Sequence, residues 1–69
     1  MSTLKRLRLE RELSQRALGE MLDTSYMAIW RWESLKCEPR YRNVRKLEHV
    51  FGLPIEALLT HEKSDDAKE

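Results

Sequence analysis

Apolar residues recur along this chain at the spacing of a helix, and the clearest stretch runs from Leu13 to Glu33. Ser14 suits an N-cap, with Gln15 and Arg16 opening the first turn behind it. Ala17, Leu18, Met21 and Leu22 then form the stripe of an amphipathic helix. Asp23, Thr24 and Ser25 break that pattern. All three can bond the backbone locally, and Thr24 or Ser25 can cap the next helix. That second helix is predicted over Tyr26 to Glu33, with Ile29 and Trp32 on its inner face. Ser25, Tyr26, Met27, Trp30 and Arg31 are left around its start and outer side.

The flanking sequence predicts three more helices. Ser2 or Thr3 can cap a first helix in which Leu4, Leu7 and Arg11 share a face, with Lys5, Arg6 and Glu10 outside. Arg8 is followed by Leu9, so periodicity alone does not fix its direction. Ser34 to Pro39 reads as a loop, because Pro39 pushes Glu38 out of helical geometry. Val44, Leu47, Val50 and Phe51 then form the inner face of a fourth helix, which Gly52 ends. Pro54 opens a short fifth helix carrying Ile55, Leu58 and Leu59. Residues 60–69 are polar, acidic and without periodicity, and are expected to be a disordered tail. The expectation is one all-α, compact five-helix domain over residues 1–59. Gly19 inside the second helix costs roughly 1 kcal/mol against alanine, which close approach of the third helix would offset.

Composition narrows the functions. A chain of 69 residues buries only about 60% of its unfolded surface, so it gains from a partner subunit. Net charge is only +1, but it is unevenly spread: residues 1–61 hold 11 Lys/Arg against 8 Asp/Glu, and residues 62–69 hold 2 against 4. Lys36, Arg40, Arg42, Arg45 and Lys46 form the densest basic cluster. No apolar run is long enough to cross a bilayer and no signal peptide is evident, so the expected location is cytoplasmic and no membrane partner is expected. The single cysteine, Cys37, cannot form an internal disulfide and reads as a reduced loop thiol. His49 and His61 have no ligand-spaced neighbours. With no nucleophile–base pair and no glycine-rich phosphate loop, neither an enzyme nor a cofactor nor a metal is expected.

Two short helices joined by a tight turn form a helix-turn-helix arrangement, and a generic helical corner would fit as well. Resemblance sharpens the reading. LKRLRLERELSQRALGEML, then IWRWE, EPR and VRKLEHVFGLPIEALL, resemble the Cro/repressor-type helix-turn-helix regulators in order and spacing from Leu4 to Leu59. The resemblance implies a lambda-repressor-like fold whose third helix enters the major groove of double-stranded DNA. It implies base reading by Gln15, Ser25, Tyr26, Met27, Trp30 and Arg31, and phosphate contacts from Arg16, Thr24, Lys36, Arg40 and Arg42. Gln15 suits a phosphate, an adenine edge or both, and Arg31 suits guanine. Trp30 is open to other readings: contact with a second subunit or another protein, or an indole lying over Arg and Lys stems. An ion pair between Arg8 and Glu33 is implied too. The family usually has glycine where Glu12, Asp23 and Leu35 stand here. Asp23 is easily accepted in a left-handed conformation; Glu12 and Leu35 suggest altered helix ends or strain. Alanine is usual where Glu48 stands, which bears on how the fourth helix packs.

Two functions fit these residues. The first is a transcriptional regulator, a repressor binding a partly palindromic operator as a homodimer through Leu53, Ile55, Leu58 and Leu59. The alternative is an antitoxin or other protein-interaction module, with a toxin or an anti-repressor docking on Tyr26, Met27 and Trp30.

Overall fold

The computed structural model describes residues 1–62, and these contain five helices: α1 (Thr3–Glu10), α2 (Gln15–Met21), α3 (Tyr26–Glu33), α4 (Tyr41–Phe51) and α5 (Ile55–Leu58). No helix among the described residues is long and apolar enough to cross a membrane. The core is Leu4, Leu18, Leu22, Ile29, Trp32, Leu47, Phe51 and Leu58, with every helix contributing. Leu7, Leu13, Ala28, Val50, Ile55 and Leu59 pack around it.

Helix starts follow local chemistry. Ser2, Ser14 and Ser25 have extended backbones, and their hydroxyls accept the N–H of Lys5, Ala17 and Ala28 at 3.1, 2.9 and 3.2 Å. Each satisfies one of the N–H groups that a helix start leaves without a partner. Ser25, not Thr24, therefore caps α3. No side chain caps α4 at Arg40. The α5 start takes its acceptor from a distance: Glu48 Oε2 accepts the Ile55 N–H at 2.8 Å. The carboxylate that stands where the family usually has alanine thus ties α4 to α5.

Three helices end alike. Glu12, Asp23 and Leu35 have φ of 58°, 59° and 60°. The next N–H in each case reaches back over a turn, Leu13 to Arg8 O at 3.1 Å, Thr24 to Gly19 O at 2.8 Å and Lys36 to Arg31 O at 3.0 Å. Inside each loop a second bond closes, Glu12 to Leu9 O, Asp23 to Glu20 O and Leu35 to Trp32 O. These are Schellman endings with a non-glycine residue at the left-handed position. The helix ends are unaltered; the cost falls on the residue, about 1–2 kcal/mol each and least for aspartate.

Gly19 is a packing glycine. A Cβ there would lie 2.8 Å from Thr24 O and 3.1 Å from Ser25 C, both backbone atoms of the turn into α3. The turn can close over α2 only because that atom is missing.

Three expectations need correction. Met21 is 52% exposed and lies outside the core. The α2 stripe is Leu18 and Leu22, four apart, and Met21 falls beside it. Leu58 has no exposed surface and is a core residue, so it offers nothing to a partner. The tail does not begin free at Thr60. Thr3 N–H donates to Thr60 O at 3.0 Å, Ser2 and His61 form an antiparallel bridge, and Glu62 N–H donates to Met1 O at 2.8 Å. The remainder of the expected tail, 63–69, lies outside the described residues.

Two substitutions check these assignments by urea unfolding. Gly19→Ala is expected to lose about 1–2 kcal/mol, the backbone clash exceeding the gain in helix propensity. Glu12→Gly is expected to gain up to about 1 kcal/mol, because relief of the left-handed strain exceeds the added chain entropy.

Candidate nucleic-acid interface

The site is built on α3, and α3 is held from behind. Glu33 at its end is buried, and Arg8 of α1 grips it with two bonds, Nε to Oε2 at 2.5 Å and Nη2 to Oε1 at 3.1 Å. The remaining Arg8 nitrogen, Nη1, donates to Leu13 O at 2.7 Å in the α1–α2 connection. Gln15 Nε2 of α2 donates to Glu33 Oε1 at 3.0 Å. One carboxylate thus collects α1 and α2 onto the end of α3. A planar guanidinium against a carboxylate fixes orientation as well as distance. Arg8 therefore faces inward and Leu9 outward, which settles what periodicity left open.

With Ile29, Trp32 and Glu33 buried, the opposite side of α3 is exposed. It carries Tyr26, Met27, Trp30 (41% exposed) and Arg31, with Ser25 at its start. Arg16 on α2 is exposed and lies over the Tyr26 ring, 5.1 Å from its centroid. This contact orders both side chains and bridges the two helices of the motif. Ser25 is exposed, but its hydroxyl oxygen already accepts from Ala28. Thr24 is half-buried in the turn.

The basic cluster divides in two. Lys36, Arg40 and Arg42 are exposed, and among the described residues their side chains have no hydrogen-bond or ion-pair partner; the same holds for the side chain of Arg31. Arg45 and Lys46 are engaged: Arg45 Nη1 donates to Tyr41 Oη at 3.1 Å, and Lys46 Nζ donates to Leu22 O at 3.1 Å, at the end of α2. Arg11 is engaged too, at the surface, donating to Val50 O at 2.6 Å and lying over Phe51 at 4.7 Å.

Tyr41 is the residue that the reading of the sequence missed. It is 72% exposed at the first position of α4, between Arg40 and Arg42, with Arg45 across its ring. An aromatic inside a basic run, Arg40-Tyr41-Arg42, was the available signal. Of the residues grouped as a second contact surface, Leu53 is exposed and Ile55 and Leu59 are half-buried. Ile55 and Leu59 edge a groove of ≈330 Å³ shared with Glu38, Pro39, Val44 and Glu56.

An outward-facing second helix behind a tight turn, with unpaired cations at the following loop, is the arrangement of a helix-turn-helix motif. The chain matches the helix-turn-helix family model over residues 4–58 and belongs to that family, in its Cro/C1-type branch of DNA-binding transcription regulators. No curated protein and no solved structure matches it.

The central ion pair gives a test. Arg8→Met is expected to lose about 3–5 kcal/mol in urea unfolding, because Glu33 would stay buried without its cation. Arg8→Met combined with Glu33→Leu is expected to recover most of that loss, since an apolar pair leaves no buried charge. A double variant as unstable as the single one would show that the pair itself carries the stability.

Proposed function

We propose that this protein is a repressor that binds a partly palindromic operator as a homodimer, with α3 of each copy in the major groove. The observation that carries this reading is the outer face of α3, where Tyr26, Met27, Trp30 and Arg31 stand exposed on a helix anchored from behind by Glu33. An α-helix fills the major groove, and each base pair there shows a distinct set of donors, acceptors and methyl groups. Arg31 is the main sequence reader, because a free guanidinium matches O6 and N7 of guanine. Tyr26 and Met27 suit thymine methyls, and Trp30 covers the flank. Gln15 keeps one N–H and its carbonyl for DNA while Glu33 holds the other N–H.

Arg16, Thr24, Lys36, Arg40 and Arg42 take phosphates in this reading. The side chains of the last three have no internal partner among the described residues, so they meet the backbone without breaking a bond. The α4 start, which no side chain caps, adds backbone N–H groups of the kind phosphates accept. Tyr41 joins them as a hydroxyl donor. Leu53, Ile55 and Leu59 supply the dimer contact, which sets the two α3 helices about 34 Å apart.

A second reading has one observation in its favour. Tyr26, Met27 and Trp30 form an exposed apolar patch on one helix, which also suits a protein partner such as a toxin or an anti-repressor. Salt separates the two. Phosphate binding weakens steeply as salt rises, whereas an apolar contact at Trp30 barely changes.

Selection of sites from random duplex DNA, run with the wild type and Arg31→Ala, tests the first reading. The wild type is expected to enrich an inverted repeat. Arg31→Ala is expected to lose preference at one position per half-site, roughly 1–3 kcal/mol. If the wild type enriches nothing at low salt, the operator reading falls and the protein-partner reading replaces it.

A further inference from the structure

The short helix α5 has only four residues, Ile55–Leu58, far fewer than a helix needs to hold itself in water. It must therefore be held by its surroundings. Its start is held by the Glu48 carboxylate at the Ile55 N–H, and Leu58 anchors its last turn in the core. Its end runs straight into Thr60, His61 and Glu62, which cross the beginning of α1. Ser2 and Thr3 are buried beneath them, 1% and 8% exposed.

This crossing is secured twice. Backbone bonds join Thr3 N–H to Thr60 O at 3.0 Å and Glu62 N–H to Met1 O at 2.8 Å, and Thr60 Oγ1 donates to Glu56 O at 2.5 Å, one turn back in α5. The Glu62 carboxylate then closes the crossing. Arg6 Nε reaches both of its oxygens at 2.9 Å, and Thr3 Oγ1 donates to Oε2 at 2.8 Å. Arg6 in turn is steadied by Glu10, one turn along α1, at 2.6 Å. These bonds, Arg6 first and Thr3 second, hold the Glu62 carboxyl below its ordinary value.

We propose that Thr60 to Glu62 form a strap whose latch, Glu62 on Arg6 and Thr3, keeps α5 in place, so that Leu53, Ile55 and Leu59 present a contact surface only while the latch is closed. The proposal rests on the reading of those three side chains as the contact with a second copy. The latch joins the strap to α1, and the contact surface lies on and beside α5, so the state of one sets the order of the other. A partner or a modification that takes Glu62 from Arg6 would loosen α5 without touching α3. The device is an order–disorder element of low local stability, in a fold whose centre is held elsewhere by Arg8 and Glu33.

The experiment is amide hydrogen exchange on the full chain as wild type, Glu62→Ala and Arg6→Gln, with sedimentation of the same three proteins. Both residues are partly exposed, so both variants keep the core. Exchange at Thr3, Leu58 and Leu59 is expected to quicken about tenfold in each variant, in line with the loss of charge-assisted bonds. Exchange in α2 and α3 is expected to stay the same, and self-association to weaken with α5. Unchanged exchange at α5 would overturn the latch, as would equal acceleration at every amide, which marks a general loss of stability. Loosened α5 with unchanged self-association would overturn the coupling. A wild type that is monomeric both free and on its selected DNA site would remove the dimer reading and the coupling with it, while exchange at α5 still decides the latch.

Discussion

A single buried carboxylate governs this domain. Glu33 would be ruinous in a core this small without Arg8, because a desolvated charge costs several kcal/mol and a folded domain has only about 5–15 in hand. The bidentate grip answers that cost with direction as well as charge. It sets how α1 crosses α3, and through Leu13 O and Gln15 it sets where α2 begins. The apolar contacts of Leu18, Leu22, Ile29 and Trp32 supply most of the driving force, but they have no preferred angle. The ion pair does.

The turn between α2 and α3 depends on a second constraint, a missing atom. Thr24 and Ser25 pass within reach of the position where Gly19 would carry a Cβ. Their backbone closes a Schellman ending over Asp23 and opens α3 on the Ser25 cap within three residues. The same ending recurs at Glu12 and Leu35. The fold therefore keeps its helix lengths where glycine would have been the easy choice, and tolerates left-handed side chains to do so.

Much of this was legible in the residues. The helical spacing, with serines before the first three helices and Pro54 before the last, marked the five helices, and IWRWE placed Ile29 and Trp32 inside and Trp30 and Arg31 outside. What escaped had physical reasons. Met21 fits the stripe by count, but a seven-residue helix buries too narrow a face to include it. Leu58 stands beside Leu53, Ile55 and Leu59 in a short apolar stretch, and spacing there does not mark which side chain enters the core. The hold of Thr60 to Glu62 on α1 links positions nearly sixty residues apart, and no local pattern encodes such a pairing. The split of the basic cluster escaped as well, since Lys46 and Arg45 differ from Arg40 and Arg42 only in what lies beside them in space.

The stacking of Arg16 on Tyr26 has a thermodynamic consequence. A free arginine loses rotamer freedom when it binds, about 0.5–1.5 kcal/mol for a side chain of that kind. Arg16 and Tyr26 have already given much of theirs up, as has Gln15 against Glu33. Arg31, Lys36, Arg40 and Arg42 have not. On the proposed interface, the entropic cost of association therefore gathers at the far end of α3 and the loop beyond it, while the α2 side docks as a preset surface. Immobilising that loop half in advance would tighten binding without adding a single contact.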